Sequence, residues 1–146
     1  MGMFNSILVV CAGNICRSPT GEYLLKDKLV DSDVKVSSAG LTALVGKGAE
    51  ETASSIALSN NIDMSDHQGR QLKTLLIAEN DLILVMEERH LTDLLAQYPQ
   101  ARGKTFLLGK WIGDKEIPDP YRKSKEAFEH VYQLIDQACS AWTKYL

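Results

Sequence analysis

The sequence has few of the features that mark secreted, membrane-spanning or nucleic-acid-binding proteins. Its 146 residues include three cysteines, a low and odd number that argues against a disulfide framework and favours a reducing cytosol. No apolar run approaches the roughly 18 residues of a membrane span, and the start lacks the charged-then-apolar layout of a secretory signal. A net charge of −3 without a long basic run argues against nucleic acid as the main partner.

The sequence does contain enough apolar residues for the core of one domain, which we expect to span residues 1–146. Hydrophobic residues make up 45% of the chain. The opening "MGMFNS" matches the loose pattern for N-myristoylation. Because a strand is predicted to begin by Ile7, we favour the interpretation that Met1 and Gly2 are a cloning remnant before a native start at Met3.

Strand-like and helix-like segments alternate along the chain. The run "SILVVC" is short, apolar and rich in β-branched residues, as in a strand buried on both faces of a parallel sheet. Further strands are predicted over residues 34–40, 81–86 and 104–109. Helices are predicted from Ser18-Pro19, over residues 49–60, 71–78 and 87–98, and after residue 124. The last helix has an apolar stripe at helical spacing, formed by Phe128, Val131, Ile135, Cys139 and Trp142. This alternation predicts an α/β fold with a parallel sheet and right-handed crossovers.

The loop after the first strand holds two of the three cysteines. In parallel sheets, ligands bind where strands end and helices begin. A loop that leads into a helix N-terminus directs backbone N–H groups at anions, and Arg17 can grip two phosphate oxygens. Gly13 permits a tight loop, and Asn14 tolerates a left-handed conformation. We therefore predict a phosphate-binding loop, the Cys11 loop, made of Cys11, Ala12, Gly13, Asn14, Ile15, Cys16, Arg17 and Ser18.

The same electrostatic field favours the thiolate form of Cys11. A thiolate beneath a bound phosphate can attack phosphorus and form phosphocysteine, and the Ser18 hydroxyl could donate to it. The alternative is a buried, unreactive strand residue, since the C-x5-R spacing alone often arises by chance. The buried strand before Cys11 and the Ser-Pro helix start after it favour the nucleophile.

A leaving group also needs a proton donor, and Asp119 is the best candidate. It lies between two prolines in "EIPDPYRKS". A carboxyl in such a rigid, apolar-flanked loop could act as general acid. Asp-Pro is also common in turns, so the residues alone leave both a catalytic and a structural role open.

Together, "CAGNICRSP" and "DPYRKS" resemble the low-molecular-weight protein tyrosine phosphatase family, and "VSSAG", "DHQGRQL" and "DLILVMEERH" extend the similarity along the chain. The segments "FNSILVVC", "LVGKGA" and "ARGKT" are most similar to the bacterial branch that acts beside tyrosine autokinases controlling capsule and exopolysaccharide export. The resemblance implies a central four-stranded parallel sheet with helices on both sides. It also implies a cytoplasmic enzyme that needs no metal or cofactor. Its substrate would be phosphotyrosine in a protein, namely a tyrosine autokinase.

The resemblance further implies roles for individual residues. Cys11 would be the nucleophile, Arg17 the phosphate clamp, and Asp119 the acid and then the base. Tyr121 would form a wall of the substrate pocket, and Leu44 stands near the position where eukaryotic members usually carry an aromatic residue. The side chains that would hold the shape of the loop are Asn14, Ser18, Ser38 and His67.

Cys16 prompts a redox hypothesis. After peroxide converts Cys11 to a sulfenic acid, Cys16 would capture it as a disulfide and prevent further oxidation. The alternative is that Cys16 only packs beneath the loop.

Three other functions are consistent with a cysteine loop of this kind. An arsenate reductase needs further cysteines, yet the one outside the loop, Cys139, lies on the core-facing stripe. A cysteine phosphocarrier domain should not hydrolyse its own phosphocysteine, which Arg17 would promote. An inactive phosphotyrosine-binding module would not need Cys11, Arg17 and Asp119 together. We expect a monomer or a weak dimer.

Overall fold

A computed structural model describes residues 4–146, so the hypotheses about Met1 and Gly2 lie outside the described residues. Within residues 4–146 the chain forms four strands and five α-helices. The strands are β1 Ser6–Cys11, β2 Lys35–Gly40, β3 Leu82–Val85 and β4 Thr105–Leu107. The helices are α1 Arg17–Lys28, α2 Glu51–Ser59, α3 Thr74–Glu79, α4 Glu88–Gln97 and α5 Lys125–Thr143. In this part of the chain, no helix is long and apolar enough to cross a membrane.

The four strands form one parallel sheet in the order β2-β1-β3-β4. The first strand therefore lies in the interior of the sheet, paired on both edges, and its residues from Ile7 to Cys11 are buried. The register aligns Cys11 with Gly40, so these two strands end together at the carboxyl edge. The α/β fold with a parallel sheet is confirmed, and the first helix begins at the edge where ligands bind.

Alternate residues of β1 enter two separate cores, because successive side chains of a strand point to opposite faces. Ile7 and Val9 pack in a cluster with residues of α1, α2 and α5. Leu8 and Val10 pack with residues of α3 and α4. Helices therefore cover both faces of the sheet, as the resemblance implied.

The predicted apolar stripe of α5 is confirmed, because Phe128, Val131, Ile135, Cys139 and Trp142 are all buried. The indole N–H of Trp142 donates to the carbonyl of Leu108 at 2.9 Å, which satisfies its one polar atom. Complete burial of side chains of this size contributes about 1.5–3 kcal/mol each relative to exposure. The stripe thus holds α5 against α1, the helix that follows the Cys11 loop.

One predicted boundary is wrong in an informative way. The helix predicted from Gln71 begins at Thr74, because residues 70–72 pair with the end of β2 instead. Gly40 N–H donates to the Arg70 carbonyl, and Leu72 N–H donates to the Gly40 carbonyl, each at 2.9 Å. The apolar spacing in this segment also fits a helix, but only the fold supplies the strand edge that binds its backbone.

Candidate active site

The Cys11 loop connects the last residue of β1 to the first residue of α1. The segment that follows β2 binds the outer side of this loop. Leu41 N–H donates to the Cys11 carbonyl at 2.9 Å, Thr42 N–H to the Ala12 carbonyl at 3.0 Å, and Leu44 N–H to the Gly13 carbonyl at 3.0 Å. The carbonyl groups of the loop are thereby turned outward.

The amide groups of the loop have no such partners. Within residues 4–146, none of the N–H groups of residues 13–18 donates a hydrogen bond to another group of the chain. Asn14 lies in the left-handed region, with φ of 58°. Backbone N–H groups in protein interiors are nearly always paired, so a row of unpaired donors at a helix start fits an anion.

The predicted catalytic and wall residues line one cavity of about 320 Å³. Its lining consists of Cys11, Ala12, Gly13, Ile15, Cys16, Arg17, Leu44, Asp119 and Tyr121. A larger depression of about 470 Å³ between α2 and α5 contains none of these residues. Among the described residues, His, Cys, Asp and Glu side chains form no group of three or more that could hold a metal ion.

The Arg17 guanidinium is held in place by two hydrogen bonds from Nη1. Its side chain is 3% exposed, and Nη1 donates to the Glu87 carboxylate at 2.5 Å and to the Ile117 carbonyl at 2.8 Å. Nη2 lies 4.0 Å from the Asp119 carboxylate. With Nη1 engaged, Nε and Nη2 are the atoms left to meet two phosphate oxygens.

Glu87 is a candidate site residue that the sequence did not reveal. Burial opposes its ionisation, but hydrogen bonds from Arg89 and Arg17 outweigh that effect and lower its pKa to about 2. The charged carboxylate therefore stays in place to orient Arg17. Its signal in the sequence was an acidic residue close behind a buried strand, at the sheet edge where sites form.

His90 contacts the backbone of the same glutamate. Its Nδ1 accepts from the Glu87 N–H at 3.2 Å, and its buried Nε2 has no hydrogen-bond partner among the described residues. Burial, followed by the charge of Arg17, lowers the pKa of His90 to about 4. The imidazole is therefore neutral at pH 7.

A chain of hydrogen bonds leads from the thiol of Cys11 into the protein. Cys11 Sγ lies 2.9 Å from Ser18 Oγ. The side-chain nitrogen of Asn14 donates to Ser18 Oγ at 2.8 Å and to Ser38 Oγ at 3.0 Å. Ser38 in turn donates to the Glu22 carboxylate at 2.5 Å.

The direction of these bonds follows from their two ends. The Arg70 N–H can only donate, and it bonds Asn14 Oδ1 at 2.9 Å, so the amide nitrogen of Asn14 must face the two serines. Ser18 accepts there, which leaves its own hydrogen for Cys11 Sγ. Glu22 was not predicted. It follows the loop by one helical turn and carried no distinguishing spacing.

His67 supports the loop from outside. Its Nε2 lies 2.6 Å from the Asn14 carbonyl and donates to it, since a carbonyl only accepts. The structure therefore brings Asn14, Ser18 and Ser38 into one network and places His67 directly against it.

The rim of the cavity is more open than its floor. The Asp119 side chain is 49% exposed, and its Oδ1 accepts from the Tyr121 N–H at 3.0 Å. The Arg122 guanidinium lies 5.4 Å from the centre of the Tyr121 ring. The acid candidate and the aromatic wall are thus parts of one turn.

All three cysteines are free thiols, and their surroundings differ. Cys16 is buried, and burial together with the nearby Cys11 raises its pKa. Burial also raises the pKa of Cys139, whose sulfur faces the Gly21 carbonyl in the core. Cys139 is the core residue that the sequence predicted.

The sequence matches the model of the family "Low molecular weight phosphotyrosine protein phosphatase" over residues 6–146. It is 50% identical to low molecular weight protein-tyrosine-phosphatase Etp of Escherichia coli K12, over 98% of this chain and 95% of that protein. The structure is similar to Vibrio vulnificus Wzb solved with benzylphosphonate, with a TM-score of 0.93, 54% identity, and coverage of 98% and 99%. A more distant similarity is to the YwlE arginine phosphatase of Geobacillus stearothermophilus, with a TM-score of 0.90, 30% identity, and coverage of 96% and 91%.

The family match covers both ends of the site, from the Cys11 loop to the turn that carries Asp119. The chain belongs to the low molecular weight phosphotyrosine protein phosphatase family.

Proposed function

We propose that this phosphatase hydrolyses phosphotyrosine in proteins through a phosphocysteine formed on Cys11. The observation that carries the proposal is the placement of the Cys11 sulfur in one cavity with Arg17 and with the loop whose N–H groups are unpaired. A dianionic phosphate placed there would meet donors on several sides.

The reaction would take two steps. The Cys11 thiolate attacks phosphorus, the bond from phosphorus to the tyrosine oxygen breaks, and Asp119 gives its proton to that oxygen. Water then attacks the phosphocysteine, Asp119 takes a proton from the water, and the thiolate leaves with phosphate released. Arg17 and the loop amides stabilise the charge on the phosphoryl oxygens in both steps.

The walls of the cavity favour a phenyl ring next to the phosphate. Ile15, Leu44 and Tyr121 line it with apolar or aromatic surface. The guanidinium group of phosphoarginine would lose hydration against these walls, and among residues 4–146 the one carboxylate in the cavity lining, Asp119, is the group that we assign to proton transfer. The benzylphosphonate bound by the Vibrio protein, a ring bearing a phosphonate, has the chemistry that we propose for the substrate here.

The proposed physiological substrate is a tyrosine autokinase that controls capsule or exopolysaccharide production. The proposed place of the reaction is the cytoplasm. The proposal rests on the similarity to bacterial relatives at 50–54% identity. A kinase gene and polysaccharide export genes beside this gene would support it. We propose a monomer or weak dimer as the working state.

The test is hydrolysis of p-nitrophenyl phosphate and of phosphotyrosine peptides in the presence of a metal chelator. We expect turnover by the wild type and none by Cys11→Ser, because a serine hydroxyl stays protonated where a thiolate forms. Cys11→Ser should still bind inorganic phosphate through Arg17 and the loop amides. Rapid acid quench of the wild type should trap phosphate on Cys11.

Other outcomes assign other functions. Arsenate reduction with thiols, without phosphate ester hydrolysis, would indicate a reductase, and a stable phosphocysteine would indicate a carrier. Faster hydrolysis of phosphoarginine than of phosphotyrosine peptides would overturn the substrate class. Substantial activity in clean Cys11→Ser protein would exclude Cys11 as nucleophile.

A further inference from the structure

A second depression lies beside the active-site cavity on the α3 side. It measures about 300 Å³ and is lined by Val45, Arg70, Gln71, Lys73, Leu75 and Leu76. We call it the α3 groove. Val45 is 70% exposed and Leu75 is 67% exposed, so two large apolar side chains of this groove face solvent.

The α3 groove and the active-site cavity are lined by consecutive residues of the chain. Leu44 lines the cavity and its neighbour Val45 lines the groove, so one short segment separates the two. The Gln71 side chain fixes this segment, since its Nε2 donates to the Leu41 carbonyl at 2.7 Å and its Oε1 accepts from the Ala43 N–H at 2.9 Å. A polypeptide leaving the cavity over Leu44 would therefore meet the groove at once.

The charge around the groove is positive although the whole chain has a net charge of −3. Arg70 and Lys73 line it, and within residues 4–146 neither forms an ion pair with a carboxylate. Arg70 uses Nε to bond the Ser38 carbonyl at 2.9 Å, which fixes the guanidinium at this place. An apolar floor beside unpaired cations matches a segment with an apolar and an acidic residue.

We infer that the α3 groove binds the part of the phosphoprotein substrate next to its phosphotyrosine, taking one apolar side chain against Val45 and Leu75 and an adjacent Asp or Glu against Lys73. The inference rests on the proposed function and adds a sequence preference to it. The cavity would bind the phosphate and the ring, and the groove would bind the flanking residues.

The experiment compares kcat/KM for phosphotyrosine peptides that differ only in their flanks. One set carries Leu with Asp or Glu at each position near the phosphotyrosine, a second carries Ala with Asp or Glu, and a third carries Leu with Lys. We expect the wild type to prefer the first set to the second by about tenfold, the effect of one partly buried apolar side chain, and to the third by about threefold, the effect of one partly screened ion pair. Hydrolysis of p-nitrophenyl phosphate, which has no flank, gives the baseline.

Two variants test the groove, each with a matched control. Leu75→Ser is compared with Leu58→Ser, because Leu58 is 62% exposed on α2. Lys73→Glu is compared with Lys35→Glu, since Lys35 is exposed at the start of β2, away from the carboxyl edge. We expect Leu75→Ser to abolish the preference for Leu, and Lys73→Glu to reverse the preference for Asp over Lys. Neither variant should change the rate on p-nitrophenyl phosphate.

Equal kcat/KM for all peptide sets in the wild type would overturn the inference, as would equal losses in the groove variants and their controls. A dimer in solution that Leu75→Ser dissociates, without any flank preference, would assign the groove to a second copy of the chain and overturn it too. Failure of the proposed function would look different, because no set of phosphotyrosine peptides would then be hydrolysed efficiently, whatever its flanks.

Discussion

The sulfur of Cys11 and the hydroxyl oxygen of Ser18 lie 2.9 Å apart, and that hydroxyl already accepts a hydrogen bond from the Asn14 amide. The hydrogen of Ser18 is therefore directed at the sulfur. Glu22 fixes the far end of the same chain, because a carboxylate accepts and makes Ser38 the donor. A buried carboxylate thus closes the hydrogen-bonded network that begins at the Cys11 sulfur.

Removal of Ser18 or Glu22 from this chain of hydrogen bonds should make the thiolate form of Cys11 less favourable. In Ser18→Ala, we expect the pH of half-maximal Cys11 alkylation by iodoacetamide to rise by about one to two pH units, since a hydrogen bond to a charged group contributes about 1.5–3 kcal/mol. Glu22→Gln should raise it by less, because glutamine can also donate and no longer fixes the direction of Ser38. Both variants leave in place the charged residues Arg17 and Asp119 that line the cavity with Cys11.

The control for Glu22→Gln is Glu79→Gln, a change of the same kind at an exposed site on α3. Because alkylation needs no substrate, it reports the ionisation of Cys11 independently of any effect on substrate binding. If the pH profile of alkylation is unchanged in both Ser18→Ala and Glu22→Gln, these hydrogen bonds only maintain the shape of the loop.

Asp119→Asn should expose the need for a proton donor. Tyrosine leaves as a phenolate of pKa about 10 unless it is protonated, so kcat on phosphotyrosine peptides should fall by roughly 10²–10⁴. p-Nitrophenyl phosphate, whose leaving group is a stable anion, should lose less. The measurement is kcat over a series of aryl phosphates for both proteins. If the variant shows no steeper dependence on leaving-group pKa than the wild type, Asp119 is not the acid.

Cys16 should protect Cys11 from irreversible oxidation. Both residues line the same cavity, and burial raises the pKa of Cys16, so Cys11 is the thiol expected to react first with peroxide. The Cys16 thiol then attacks the sulfenic acid, a disulfide forms and water leaves. We expect wild-type activity to return after dithiothreitol, and activity of Cys16→Ser to be lost permanently.

Cys139→Ala serves as the control, since Cys139 lies in the core. Mass mapping after peroxide decides the point. Sulfinic acid on Cys11 of the wild type, with Cys16 still a free thiol, would contradict the protective role.

His90 should make stability depend on pH between about 6.5 and 4. Its folded pKa is lowered to about 4, so on acidification the unfolded chain binds the proton first and the free energy of unfolding falls through this window. The slope from one such group is at most about 1.4 kcal/mol per pH unit. His90→Asn keeps an acceptor for the Glu87 N–H and should flatten the slope. Urea unfolding at several pH values measures it, with His130→Asn at an exposed position as control. A slope that is equal in wild type and His90→Asn would exclude His90 as the source.

The fold was predictable because its signals are local and repeated. The apolar run of β1 and the helical spacing of apolar residues in α5 each predict burial from a short stretch of sequence, and both predictions are confirmed. Local spacing misled at Gln71, where the strand edge of Gly40 competes for the backbone. Such competition depends on residues far apart in the chain.

The candidate site was predictable where a motif is contiguous. Cys11 and Arg17 stand in one loop, the turn between two prolines made Asp119 a candidate, and the resemblance supplied its role together with that of His67. Glu87 and Glu22 were missed because nothing near them in sequence reveals their partners. Arg17 is 70 residues from Glu87, and Ser38 is 16 residues from Glu22. Only the assembled sheet edge brings these pairs together.

The backbone around the Cys11 loop leaves little space for change. A Cβ on Gly40 would lie 2.5 Å from the Ala12 carbonyl, and one on Gly69 would clash with the Leu44 carbonyl. The side chains of Ile15, Leu44 and Tyr121, in contrast, project into open space. An engineer, or natural divergence, can therefore alter substrate range at these three positions while the phosphate cradle stays as it is. A library restricted to them would explore new leaving groups with the reacting atoms held constant.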